Sequence, residues 1–538
     1  MIKRTTLLAL VLAASSLAGA ALPPYQYDLT RGRSLDDVTP VPRLASNVII
    51  DIVPTSINNR FWLGTGGGIT RMTLTHNEQS LGQSLEFYVS FESFGEAQGL
   101  GKGSASGLVV TDTIIWASFA FDTTVGVSGA GGGLAYSRDG GLNWTHVPQP
   151  RDRIHNTDAS GFDNVLGYWP TTTNVDNITY DIALSDSFVW IVSKGGGTRR
   201  HAYSADYTDY NDTTGWRAVS PLALEDGRSL PFHPGDPSDG LYHRTFSVIY
   251  AEGALYVGTA AGILKSTNEG RTWRSITALN SGISGNFVTA LGYQPDAHAI
   301  WAATWRAESS SEFYAVSKST DGGTTWTVHL DSAQVARAIG RHEVVRAHSF
   351  AFNGQAAYVC DDLGLWKSPD GGATWDLFSN PVDTETGRRF YETQTYGAYY
   401  MVPDTLGPTP PAGLWVGGVD GLAFTMDEGA SWHLFQTAVP PSDPARSVDT
   451  YAYPNPWSPQ RFGPVKLRYT TSGGSVKVTI YDFAMSKVVE LPSVTRAAGE
   501  QYEVWDGRKN GEIVANGTYF YKIEKSGGDV WGKLVVLD

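Results

Sequence analysis

Cysteine is nearly absent: Cys360 is the only one among 538 residues. No intrachain disulfide can form, so the core is held by packing alone. Cys360 sits in a strand-like run, Ala357-Tyr-Val-Cys, and reads as a small buried hydrophobe rather than a reactive thiol. Charge is sparse too, at 17% of residues with a formal net of −14. No long basic run is present, which disfavours a nucleic-acid partner. After the first twenty residues no apolar run reaches membrane-spanning length. Zinc-ligand spacing, a phosphate-cradling glycine loop and a nucleophile elbow are all missing. The expectation is a chain with no cofactor, no metal and no transmembrane segment.

What is plentiful is glycine, with 60 residues, and aromatic side chains, at 12%. That mixture suits many short strands joined by tight turns. Residues 1–20 read as a secretory signal peptide, with Lys3 and Arg4, an apolar stretch from Leu7 to Leu17, and Ala18-Gly-Ala20 as the cleavage site. No cysteine follows that site, so a lipid anchor there is not expected. Residues 21–44 read as an extended lead-in.

One phrase returns five times. Its positions are Ser137, Asp139, Gly141 and Trp144; Ser266, Asn268, Gly270 and Trp273; and Ser319, Asp321, Gly323 and Trp326. It recurs at Ser368, Asp370, Gly372 and Trp375, and at Thr425, Asp427, Gly429 and Trp432. An Asp or Asn side chain caps backbone N–H groups, Gly takes a positive φ, and Trp opens the next strand. A second phrase, an apolar run carrying an aromatic and then a Gly-rich turn, occurs seven times. Its aromatics stand at 62, 116, 190, 256, 301, 358 and 415, 45 to 74 residues apart. The third unit keeps only a stretched turn, Ser204-Ala-Asp206 with Gly215-Trp216, and the first has none. The longest insertion, about 149–176, carries Arg151, Arg153, His155, Asp158 and Trp169.

The recurring turn resembles the Asp-box (bacterial neuraminidase, BNR) repeat of sialidase-like, sortilin-type and xyloglucanase-type propellers. Seven four-stranded units over residues 45–437 then imply a seven-bladed β-propeller. Residues 438–448 read as a linker. Residues 449–538 hold six or seven short alternating strands, which read as an Ig-like β-sandwich. Tyr453-Pro-Asn-Pro-Trp457, Val476-Lys-Val-Thr-Ile-Tyr-Asp482, Trp505-Asp-Gly507, Gly511, Gly517-Thr-Tyr-Phe520 and Lys533-Leu-Val-Val-Leu537 carry a further likeness. They resemble the Ig domain of the flagellar hook-capping protein and type IX secretion sorting domains. Met485 departs from that pattern, where a Gly is usual. The fold class expected is all-β, a seven-bladed propeller followed by an Ig-like sandwich.

The turn aspartates read as caps, not catalysts. Chemistry on a propeller gathers near its axis, where the innermost strands are Val48-Ile-Ile-Asp51, Ile178-Thr-Tyr-Asp181, Arg244-Thr-Phe-Ser247, Asn286-Phe-Val-Thr289 and Arg346-Ala-His-Ser349. The recurrent small polar residue at the fourth position reads as bonding its neighbours or water along the channel. Arg244, Asn286 and Arg346 at the first position, flanked by His243 and His348, are candidate ligands for an anionic group. Asp51 and Asp181 are candidate carboxylates by position. Tyr207-Thr-Asp209-Tyr-Asn211-Asp212 reads as a solvated turn, with weak cation binding as its other reading. A sialidase needs an arginine in a Phe/Tyr-Arg-Ile-Pro phrase, which Pro42-Arg43-Leu44 does not match. The leading expectation is therefore a secreted or cell-surface, non-catalytic binding platform for an extracellular protein or glycan. Its tail would serve export or attachment and be recognised by the export machinery. The alternatives are an extracellular glycoside hydrolase and a structural component of an extracellular assembly.

Overall fold

The computed structural model describes residues 44–537 apart from 56–58, 77–86, 124–128, 204–214, 234–239, 306–309, 384–387, 403–411, 437–449, 454, 456, 460–463 and 497. The expected signal peptide, nearly all of the lead-in, the linker, the stretched turn at 204–206 and the loop at 207–212 lie outside these residues. The chain divides into two compact units between Ser442 and Asp443.

The first unit is a β-propeller of seven four-stranded antiparallel sheets, each with its strands in chain order. In the first blade they are β1 (Ile49–Pro54), β2 (Arg60–Thr65), β3 (Gly68–His76) and β4 (Phe87–Phe94). The innermost strands of the later blades begin at Ser104, Asp181, Thr245, Phe287, Ala347 and Thr395. Each innermost strand contacts the next, and Thr395–Met401 returns to β1, so the ring closes. All four strands of the first and last blades are local in sequence. Among the described residues neither end of the chain therefore lends a strand to the other's blade. Closure rests on side chains: Phe61 packs 5.5 Å from Tyr399 and 6.2 Å from Trp415.

The blades are held together by a repeated aromatic joint. In four blades the Trp that opens the fourth strand meets, edge to face, the second-strand aromatic of the preceding blade. Trp144 stands 5.6 Å from Trp62 at 83°, Trp273 6.3 Å from Trp190 at 88°, and Trp375 6.3 Å from Trp301 at 87°. In the third blade Trp216 does the same against Trp116, 5.9 Å away at 89°. Such pairs contribute about 0.5–1.5 kcal/mol each beyond their buried area.

The recurring turns are built as their residues require. Ser137 Oγ donates to Asp139 Oδ1 at 2.8 Å and accepts from Gly141 N at 2.8 Å. Asp139 Oδ1 also accepts from Leu142 N and Asn143 N, at 3.0 and 2.9 Å. The copies at Asn268, Asp321, Asp370 and Asp427 repeat this pattern. The glycine is required twice over at Gly372. It has φ +103°, and a Cβ there would meet His329 Nδ1 at 2.4 Å and Trp301 at 3.0 Å.

In the second unit, Thr450–Tyr453, Val465–Thr471 and Gly499–Trp505 form one sheet. Gly474–Tyr481, Lys487–Glu490, Val494–Arg496, Gly517–Glu524 and Val530–Val536 form the other. Both contribute to one apolar core around Trp457, Leu467, Val478, Trp505 and Tyr521.

Candidate functional site

The channel, a cavity of about 530 Å³ in the first unit, is lined by residues of all seven innermost strands. Its geometry comes from a bulge. In six blades the pairing of first and second strands shifts register at one point, at Ile50, Ser106, Phe246, Thr289, His348 and Tyr396. A bulge re-aims the side chain that follows it, here toward the next blade. In the third blade, whose described pairing has no such shift, Asp181 also reaches the next blade: its Oδ2 accepts from Val248 N at 2.8 Å and from Ser247 Oγ at 3.2 Å. Ser247 Oγ accepts in turn from Leu291 N at 3.0 Å, and Ser349 Oγ donates to the Tyr396 carbonyl.

The register corrects the sequence alignment of the fifth blade. Val288 faces Thr304 as Thr245 faces Thr259 and Ala347 faces Asp361. Ala290, not Thr289, therefore holds the position of Ser247 and Ser349, and Phe287, not Asn286, that of Arg244 and Arg346. Thr289 is the bulged residue, equivalent to Phe246 and His348, and matching it by its polarity to Ser247 displaced the reading by one residue.

Asp51 and Asp181 both line the channel. Burial pushes the Asp51 carboxyl up to about 7, helped by the charge of Asp181 and opposed by the bond from Ile52 N. Burial also pushes Asp181 up to about 6, against the donors Val248, Ile182 and Ser247. In the second blade Gly107 takes the same bulge-following position, and a Cβ there would meet the Asp181 Cα at 3.1 Å. A third carboxyl, Asp361, is buried, pushed up to about 6, and accepts from Leu363 N at 2.9 Å and from Arg346 N.

The candidate anion ligands are each engaged locally. Arg244 is partly buried beside the charge of Asp176, and burial pulls its guanidinium pKa down. Asn286 Oδ1 accepts from Ala278 N at 2.8 Å, while its Nδ2 donates to the buried Glu312 at 2.9 Å. Arg346 pairs with Asp362 at 3.4 Å and lies over Tyr314. His348 Nε2 meets Asp362 Oδ1 at 2.8 Å. His243 is buried edge-on to Phe232, and burial pushes its imidazole down to about 4. Among the described residues no hydrogen bond or ion pair joins Arg244, Asn286 and Arg346 to one another. A carboxylate accompanies each of the three.

The most built-up feature was not legible as a site. The insertion between the second and third blades is pinned by Asp152 and Arg199. Arg199 donates from Nη1 and Nη2 to Asp152 Oδ1 and Oδ2, both at 2.7 Å, and from Nε to the Gly196 carbonyl at 3.1 Å. Asp152 also accepts from Tyr168 Oη at 3.0 Å and Thr171 N at 2.7 Å. Both carboxylate oxygens are satisfied, and the guanidinium beside Asp152 holds its carboxyl below the usual range against the cost of burial. The pinned segment presents Trp169, stacked flat on His233 at 3.8 Å with Phe162 edge-on at 4.8 Å. The same segment exposes Ile154 and Val165, at 61% and 64%. One sequence signal existed for Arg199. Its strand register matches Leu264 of the fourth blade, so a charge occupies a core position of the repeat.

Cys360 is buried, and burial pushes its thiol up to about 12. Among the described residues no group of three or more His, Cys, Asp or Glu is placed to hold a metal ion, and no helix is long and apolar enough to cross a membrane.

The fold and channel define a seven-bladed propeller protein with a further two-sheet β unit. No family model and no curated protein matches the chain. Among solved structures it is similar to PorZ, an essential bacterial surface component of the type-IX secretion system of Porphyromonas gingivalis. The identity is 14% and the TM-score 0.35, over 91% of this chain and 66% of that one. It is also similar to an ancestral GH74 enzyme, at 13% identity and a TM-score of 0.43, over 92% of this chain and 63% of that one. YCF48 from Cyanidioschyzon merolae is similar at 13% identity and a TM-score of 0.32, over 74% and 94%. The chain thus spans just under two thirds of the first two structures.

Proposed function

We propose that the chain is a non-catalytic binding platform outside the cell for a protein or glycan. In this reading the recurring turns are Asp-box turns of structural purpose. The second unit is an Ig-like module that serves export or surface attachment, read by export machinery. The observation that carries the proposal is the insertion at 149–176. A fully satisfied, buried Asp152–Arg199 pair fixes it, so its aromatic and aliphatic side chains need little further ordering when a partner arrives. Side chains that are rigid, aromatic and partly exposed are what binding hot spots use. Arg244, Asn286 and Arg346, just before the innermost strands, with His243 and His348, remain candidate ligand contacts. The test is a glycan array together with capture of extracellular proteins on the purified chain, comparing Trp169→Ala with Arg244→Ala/Arg346→Ala. Loss of binding in the Trp169 variant supports the platform; full retention in both variants removes it.

A second reading, a polysaccharide hydrolase, is favoured by one observation: Asp51 and Asp181 line the same channel with raised proton affinities. Glycoside cleavage needs one carboxyl protonated and its partner ionised. Release of reducing ends that disappears in Asp51→Asn/Asp181→Asn would establish it.

A further inference from the structure

The seven blades do not end alike. In six of them the outermost strand is short: Thr145–Val147, Arg217–Ala218, Arg274–Ile276, Thr327–Leu330, Asp376–Leu377 and His433–Phe435, two to four residues each. That is how β-proteins blunt an edge that would otherwise template further pairing. The first blade breaks the pattern. Its outermost strand β4 has eight residues, Phe-Tyr-Val-Ser-Phe-Glu-Ser-Phe, and pairs with β3 through eight consecutive positions without a register shift. It is the last strand of its sheet, and among the described residues no bridge reaches its outer side.

The usual devices against edge pairing are missing from β4. It contains no Pro, no Lys and no bulge. Its one charge, Glu92, is spent on Arg71, whose Nε donates to Glu92 Oε2 at 2.8 Å. A row of outward N–H and C=O groups on a flat edge is complemented by one thing, an extended backbone.

We infer that β4 is a strand-pairing interface, and that its occupant is β4 of a second copy of this chain, antiparallel about a two-fold axis at Ser90. The sequence complements itself in that register. Val89 of one copy lies opposite Phe91 of the other and Phe91 opposite Val89, so apolar meets apolar. Glu92 does not face Glu92, so no like charges oppose. The two four-stranded blades would merge into one eight-stranded sheet. An isologous contact of this kind closes at two copies and does not run on into a fibre.

Ser90 is exposed, and among the described residues its hydroxyl makes one long bond, 3.3 Å, to the Thr73 carbonyl. It can therefore be replaced without touching the core. Sedimentation of the purified full chain, from low to high micromolar, should show a monomer–dimer equilibrium. Ser90→Lys places like charges across the axis and should weaken association about tenfold or more, with the melting temperature unchanged. Ser90→Cys should form a disulfide-linked dimer under mild oxidation, because directly opposed Cα atoms lie about 4.5–5.5 Å apart, within the range a disulfide spans. Thr113→Cys, exposed elsewhere on the rim, should not, and Cys360 is buried. A monomer at every concentration overturns the inference. So does a dimer indifferent to Ser90→Lys, or equal cross-linking at Ser90 and Thr113.

Discussion

The Asp152 carboxylate and the Arg199 guanidinium meet through two parallel 2.7 Å hydrogen bonds across 47 residues, with both side chains 1% exposed. The pair joins an insertion to the third strand of the third blade. Its loss should therefore be felt in the insertion first.

Arg199→Met leaves Asp152 buried and uncompensated, and should cost about 3–5 kcal/mol. The double variant Arg199→Met/Asp152→Leu should recover much of that loss. Denaturant unfolding of the three proteins checks it. Equal destabilisation of single and double variants would mean that the pair is not the seat of the effect.

Gly372→Ala should destabilise by about 2–4 kcal/mol, because it adds a left-handed strain to a clash with the side chains of His329 and Trp301. Gly253→Ala, also at positive φ (+74°) but with open space around it, should cost only about 1 kcal/mol. Thermal melts of both variants separate the steric part from the conformational part.

The raised carboxyls make stability fall as pH rises. The native state holds protons on Asp51 up to about 7, and on Asp181 and Asp361 up to about 6, while the unfolded chain releases them near 4. This contribution is complete below pH 4 and is lost as pH climbs through 6 to 7. Asp51→Asn should raise stability at pH 8 by about 1–2 kcal/mol, with little gain at pH 4. A pH series of unfolding midpoints for wild type and variant is the check. A variant that gains equally at both pH values would contradict the shift.

Much of the fold was legible because the repeat carries its own physics. Asp321, Gly323 and Trp326 sit in a turn whose hydrogen bonds are local, so spacing alone located them. Seven aromatic phrases likewise counted seven blades. The channel was harder, because the polar residue used to align the strands is Ser247 in the fourth blade but the bulged Thr289 in the fifth, which made Asn286 look equivalent to Arg244. Ring closure was not readable either, since Phe61 and Tyr399 meet across 338 positions with no local signal. Asp152 and Arg199 were missed for the same reason: a buried ion pair is defined by its partner, and the partner of this insertion residue lay 47 positions on, in the third blade.

The measurement that bears most directly on the binding platform is titration of the wild-type chain and Trp169→Ala with whichever glycan or extracellular protein the arrays return. Melting curves of both proteins would be recorded alongside. The account predicts that Trp169→Ala melts with the wild type and binds at least about tenfold more weakly, the loss of a partly exposed aromatic anchor. Undiminished affinity in a normally folded Trp169→Ala would contradict it and move the search to the channel carboxylates.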